Sequence, residues 1–186
     1  MRALVLSDTH LRPSTLDRMP QEVWAMAAQA DVVLHAGDVV HPVVLAALEE
    51  STTVHAVLGN NDLGLERVLP EVLELDLGGV VVGMVHDSGP REGREGRMQR
   101  RFPEAGVVVF GHSHDPLVEQ VPGGPLLVNP GSPTQRRRQP VHTVAWLELA
   151  VGEASAELVA VGPLAGVSAS GFSASGFSAS GFSASG

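Results

Sequence analysis

The order of apolar runs in this chain predicts an α/β fold in which two mixed sheets pack face to face with helices outside. Three observations carry that expectation. The first half alternates strand-like and helix-like segments, the βαβ pattern of a parallel sheet with helices on its faces. The second half joins its apolar runs in pairs through Gly and Pro, which reads as antiparallel hairpins. Five of the apolar runs end on Asp, His or Asn. Open α/β sheets carry their ligands at the carboxyl ends of the strands.

Residues 2–7 form the first strand and run into Asp8-Thr9-His10. Ser14 or Thr15 caps a helix through about Gln29, with Leu16, Val23, Met26 and Ala27 on one face. Strand 31–36 ends on Gly37-Asp38. A second helix covers Pro42 to Glu50, with Pro in the first turn, where its missing N–H is tolerated. Strand 53–58 leads to Gly59-Asn60-Asn61-Asp62. Runs 72–77 and 80–85, joined by Gly78-Gly79, make a hairpin that delivers His86-Asp87. Segment 88–101 is a charged loop with a short helix. Strand 106–110 runs into Gly111-His112-Ser113-His114. Runs 117–121 and 126–128 flank Pro122-Gly123-Gly124-Pro125 as another hairpin, and strands near 142–149 and 156–161 complete the sheets.

The length of 186 residues suits one domain, placed at 1–165, with a low-complexity tail at 166–186. That tail repeats Ser-Ala-Ser-Gly-Phe without charge and reads as a flexible appendage or an expression artefact. The alternative is docking of Phe172, Phe177 and Phe182. Without cysteine there are no disulfides and no thiolate metal sites, so any metal must use His, Asp and Asn. A formal charge of -9 disfavours a broad duplex-DNA surface, since such affinity comes mainly from Lys and Arg on phosphates. It leaves room for a small phosphorylated substrate. No apolar run approaches about 20 residues, so no membrane span is expected. The N-terminus runs straight into Asp8-Thr9-His10, and a cytoplasmic protein is the expectation.

The strand ends together supply Asp8, His10, Asp38, Asn60, His86, His112 and His114. A mixed nitrogen and oxygen set without sulfur suits Mn, Fe or Zn better than Mg or Ca. Asp38, with two carboxylate oxygens, is placed between two ions. Ions about 3.5–4 Å apart can hold a bridging hydroxide and clamp an in-line displacement at phosphorus.

Asp8-x-His10, Gly37-Asp38, Gly59-Asn60-x-Asp62, His86 and Gly111-His112-x-His114 resemble the calcineurin-like metallophosphoesterase superfamily over roughly residues 1–160. Asn129-Pro130-Gly131-Ser132 followed by Arg136 resembles its small bacterial and archaeal phosphodiesterases. The resemblance implies a four-layer αββα sandwich and a phosphodiesterase. It implies Asp8, His10, Asp38 and His114 on one divalent ion, and Asp38, Asn60, His86 and His112 on the other. Manganese is the first expectation, with Fe, Zn or Ni as alternatives. Catalysis is expected of Asp38, Asn60, Asn61 and His86, and substrate contact of Asn61, Ser132 and Arg136.

The chain departs from the resemblance at Asn61, where many relatives have a His that serves in several as proton donor, and at Asp87, where Gly is common. Asp87 is read as facing solvent, with an orienting contact to His86 as the alternative. His35, His55 and His142 are read as buried and hydrogen-bonded, and His41 as within reach of the site mouth. Arg136-Arg137-Arg138 is a solvated basic turn, or one of its members holds a substrate phosphate with Ser132. The arginines of 91–101 are read as surface charges. The rival functions are a protein-binding scaffold of the same fold, which tolerates loss of ligand histidines, and a nuclease, which the acidic charge opposes. A homo-oligomer is left open.

Overall fold

The structure, a computed structural model, describes residues 1–162. The predicted domain end at 165 and the tail 166–186 lie outside the described residues.

Strand β1 (Arg2–Leu6) pairs in parallel with β2 (Val32–His35), and β2 in parallel with β3 (Thr53–Ala56). Helices α1 (Gln21–Ala27) and α2 (Val43–Glu49) make the crossovers. Strands β4 (Val72–Leu77) and β5 (Val80–Val85) form the first hairpin, and α3 (Arg94–Arg101) leads to β6 (Val107–Val109). The hairpin of β7 (Leu117–Gln120) and β8 (Leu126–Asn129) follows, then the long strands β9 (His142–Ala150) and β10 (Glu153–Val161). Two five-stranded sheets result, in the orders β10-β9-β1-β2-β3 and β4-β5-β6-β8-β7. Both are mixed, as expected.

The period-2 alternation of strands builds the layers. Ala3 and Val5 of β1 face Val82, Met84, Val107 and Val109 of the other sheet, in an aliphatic core between the sheets. Leu4 and Leu6 point the opposite way, onto Val23, Ala27, Val44 and Leu48 of α1 and α2. On the far side, Val108 and Leu127 pack beneath Met98 and Phe102 at α3. The order is helices, sheet, sheet, helix: the four-layer sandwich.

The helix expected over 14–29 is two pieces, a 3-10 segment at Pro13–Arg18 and then α1. Pro20 causes the break. It lacks an N–H and pushes the preceding residue out of the helical region; Met19 is extended, with φ -66 and ψ 123. The third strand stops at Ala56, because the Leu58 N–H turns to the Pro70 carbonyl (2.8 Å). Among the described residues no helix is long and apolar enough to cross a membrane.

Candidate metal centre

The carboxyl ends of β1, β2, β5 and β6 meet at one edge of the sandwich, and backbone hydrogen bonds tie their loops together. The N–H groups of Asp8 and His10 donate to the carbonyls of Gly37 and Asp38 (2.9 and 3.0 Å), and that of Gly111 to His86 (2.9 Å). The approach is close enough to require glycine. A Cβ on Gly59 would lie 2.1 Å from the Asp38 nitrogen, and one on Gly111 would lie 1.8 Å from Ser7 Oγ. Asp8, His10, Asp38, His112 and His114 all have positive φ. Such backbone persists only where the surroundings over-determine it, and it concentrates at functional sites.

Asp8, Asp38, His86 and His114 are all buried. Ser7 Oγ and the His112 N–H donate to Asp8 Oδ2 (2.6 and 3.0 Å), whereas Asp8 Oδ1 is buried with no hydrogen-bond partner. His114 donates Nδ1–H to the Gln135 carbonyl (2.5 Å), so its Nε2 lone pair faces inward. That nitrogen lies 3.2 Å from Asp8 Oδ1 and 3.3 Å from His10 Nε2. His86 likewise donates Nδ1–H to the Ala36 carbonyl (2.7 Å). Its Nε2 faces Asn60 Oδ1 (3.1 Å) and Asp38 Oδ2 (3.5 Å). His112 Nδ1 lies 2.9 Å from the same Asn60 oxygen. Asp38 Oδ2 is also 3.5 Å from His10 Nε2.

Acceptors therefore converge on two neighbouring points, which suits cations. Two ligand atoms on one tetrahedral ion at about 2.0–2.1 Å sit roughly 3.4 Å apart, close to the separations found. Two overlapping groups, Asp8-His10-His114 and Asp8-Asp38-His86, meet the geometry for a metal ion. The electrostatics agree. Burial pushes the Asp38 carboxyl up, but the His86 imidazole 3.5 Å away and two hydrogen bonds from Asn61 outweigh it and hold it well below the usual carboxylate range. Burial also opposes charge on His86, yet the hydrogen bonds to Asp38 and the Ala36 carbonyl raise it. Asp8 is raised by burial and lowered, on balance, by the His114 imidazole 3.2 Å from its Oδ1 and by the hydrogen bond from Ser7. His10 is lowered, by burial first, against the pull of Asp38 and Asp8.

Several residues hold this arrangement from behind. Asp62 is buried and accepts three backbone N–H bonds, from Asp38 (3.0 Å) and Gly59 (2.7 Å) on Oδ2 and from Val40 (2.6 Å) on Oδ1. It clamps the 37–40 loop to the 59–62 loop. It also holds Val40 at φ 72, a strained position for a β-branched residue. Its place in the Gly59-Asn60-x-Asp62 motif was visible in the sequence; its clamp role was not. His35 is fully buried and hydrogen-bonds Thr9 Oγ1 through Nε2 (3.1 Å), beneath the Asp8–His10 loop. His55 and His142 are only half-buried.

The Asn129–Ser132 stretch is also a brace. Asn129 Nδ2 donates to the Gly111 carbonyl (3.1 Å). Ser132 Oγ donates to the Asp8 carbonyl (2.8 Å) and accepts N–H bonds from Thr134 (3.3 Å) and Gln135 (2.9 Å). With its hydroxyl capacity used and the residue buried, Ser132 does not reach a substrate, contrary to expectation. Arg136 is exposed, and its Nη1 donates to the Gln139 carbonyl (2.5 Å). Asn61 is at the centre: its Nδ2 and backbone N–H donate to Asp38 Oδ2 and Oδ1 (2.6 and 2.8 Å). His41 Nδ1 accepts the Val43 N–H (3.2 Å) at the start of α2. Asp87 is exposed, as expected, and accepts the Gly89 N–H (2.7 Å).

The family described as "Calcineurin-like phosphoesterase superfamily domain" matches residues 1–152. A probable metallophosphoesterase of Methanothermobacter thermautotrophicus is 32% identical over 137 residues, 72% of this chain and 77% of that protein. Another, from Methanocaldococcus jannaschii, is 34% identical over 137 residues, 72% of this chain and 68% of that protein. Among solved structures, zinc-bound Vps29 of Entamoeba histolytica superposes with a TM-score of 0.68 at 24% identity, covering 86% of this chain and 99% of that one. An archaeal phosphodiesterase superposes with a TM-score of 0.65 at 20% identity, covering 86% and 100%. These two likenesses show the fold. The chain belongs to the calcineurin-like phosphoesterase superfamily, hydrolases of phosphate esters that use divalent metal ions.

Proposed function

We propose that the protein is a phosphodiesterase working with a dinuclear metal centre, manganese first among the candidates. One observation carries this reading: Asp38 Oδ2 stands 3.5 Å from both His10 Nε2 and His86 Nε2, between two groups of convergent acceptors. Asp8, His10, Asp38 and His114 would hold one ion, and Asp38, Asn60, His86 and His112 the other. When bound, two such ions supply Lewis acidity to the phosphoryl group and to an attacking water. The chain's own part is orientation. The carbonyls of Ala36 and Gln135 set the tautomers of His86 and His114. Asp62 holds the loop that carries Asn60, and Asn61 holds both oxygens of Asp38.

Specificity for diesters is supported by the shared fold of an archaeal phosphodiesterase. The substrate is a small phosphate ester, not duplex nucleic acid, and the location is cytoplasmic. Asn61 cannot act as an acid, so leaving groups that need no proton are favoured.

Metal analysis after reconstitution, with rates on aryl and alkyl diesters and monoesters, tests the reading. Two ions per chain and faster hydrolysis of aryl diesters are expected. Absence of Mn, Fe, Zn and Ni, or a preference for monoesters, overturns it. A positioned general acid contributes about 100- to 10,000-fold. Asn61→His should therefore accelerate alkyl diesters more than aryl ones, and equal effects would show that proton donation is not what Asn61 lacks.

A further inference from the structure

The described residues contain seven non-glycine positions with positive φ. Five are candidate metal ligands, and Val40 is the residue clamped by Asp62. The seventh is Arg137, at φ 49. An arginine has no local reason to adopt this conformation, since its side chain gives the backbone none of the help that Asn or Asp would. Something in the fold holds it there.

The turn that carries Arg137 is braced at both ends. Gln135 begins it and accepts the His114 Nδ1–H. The Gln139 N–H closes it on the Arg136 carbonyl (2.8 Å), and Gln139 Nε2 donates to Asp115 Oδ1 (2.6 Å), one residue past His114. The turn is thus tied to a candidate metal ligand. Ser113, His114, Asp115, Arg137, Arg138 and Gln139 enclose a groove of about 410 Å³, within the range of small-ligand sites. Among the described residues neither Arg137 nor Arg138 has a carboxylate within ion-pair distance, and Asp115 is answered by Gln139. Two guanidinium groups against the single Asp115 carboxylate leave this lining positive on balance, in a chain with net charge -9.

We propose that this groove binds an anionic oxyacid group, phosphate or carboxylate, on the second arm of the diester substrate, with Arg137 as its main contact. The planar fork of arginine matches either group with two parallel hydrogen bonds. The inference rests on the diesterase reading and names the substrate class that reading leaves open. Arg136, bound to its own turn, has no part in it.

The test uses the metal-loaded full chain and three 4-nitrophenyl phosphodiesters whose second arm is methyl, carboxyethyl or phosphoethyl. Arg137→Ala should raise KM for the two anionic arms about tenfold, with kcat and the methyl ester nearly unchanged. Arg137→Lys should recover part of the loss, and Arg136→Ala, which removes only a bond within the turn, should have a smaller effect. Comparison of the carboxyethyl and phosphoethyl esters ranks the two anions. An equal effect of Arg137→Ala on the methyl ester, or the same selectivity from Arg136→Ala, overturns the inference. If no diester is hydrolysed, the diesterase reading fails, and binding decides the groove separately. Calorimetry should then show phosphoglycolate, but not methyl phosphate, bound about tenfold more weakly by Arg137→Ala. Equal binding by wild type and variant overturns the inference.

Discussion

The two halves of the candidate centre are built differently. Around Asp8 and His114 the ligand atoms are buried, held by the adjacent Ser7 and by one distant stretch of chain through Ser132 and Gln135. Around Asn60 and His112 the side chains are exposed or half-buried, and one short loop carries Asn60. That loop is anchored from behind by Asp62. The contrast teaches where rigidity comes from. The inner half is enforced by packing, whereas the outer half is enforced by one carboxylate. Asp38 lies between them, with Oδ2 3.5 Å from both His10 Nε2 and His86 Nε2.

Removing Asp38 gives the largest effect. Asp38→Asn should bring turnover to background while the far-UV circular dichroism stays native, and retained activity at saturating metal would break the idea of a common ligand. His35 comes next, beneath the inner half. Full burial pushes its imidazole down to about 4, from 6.5. It is neutral when folded and takes a proton when unfolded in the window between those values. Its contribution is therefore present above pH 6.5 and lost as pH falls towards 4, by about 3 kcal/mol. Denaturant unfolding across that range should show a shallower acid loss for His35→Gln than for wild type; parallel curves would sink the assignment.

Asp62→Asn tests the outer half. Loss of an orienting partner typically costs about 10- to 100-fold in metal affinity or activity. An amide also leaves a buried N–H unpaired, at about 1–3 kcal/mol. Metal titration and denaturant midpoints should both move, and an unchanged metal affinity would refute the clamp. A graded chelator titration sharpens the contrast further. The metal content should fall in two steps, the first removed by Asn60→Ala and the second retained. A single step would mean the halves are equivalent. The smallest expected effect is none: truncation after Gly166 should leave rate constants unchanged, since the tail offers no ligand type and no charge.

Much of the fold could be read from the chain. The Val- and Leu-rich runs, their glycine joints and the residues after them predicted the two mixed sheets and brought Asp8, Asp38, Asn60, His86, His112 and His114 to one edge. Pro20 stood in the sequence as a helix breaker, and a continuous helix over 14–29 overlooked it. Ser132 was harder. A serine in a turn beside arginines reads equally as a ligand contact or a brace, and only the position of the Asp8 carbonyl decides between them.

The sequence by itself determined the periodicities, the donor types and the order in which strand ends present them, because each is a property of neighbouring residues. The tertiary structure alone decided which atoms converge. Asp62 meets the N–H groups of Asp38 and Val40 across more than twenty residues of chain. His114 finds its tautomer at the Gln135 carbonyl, and the choice between Arg136 and Arg137 rests on the course of one braced turn. Such contacts depend on packing between layers, which no local pattern encodes.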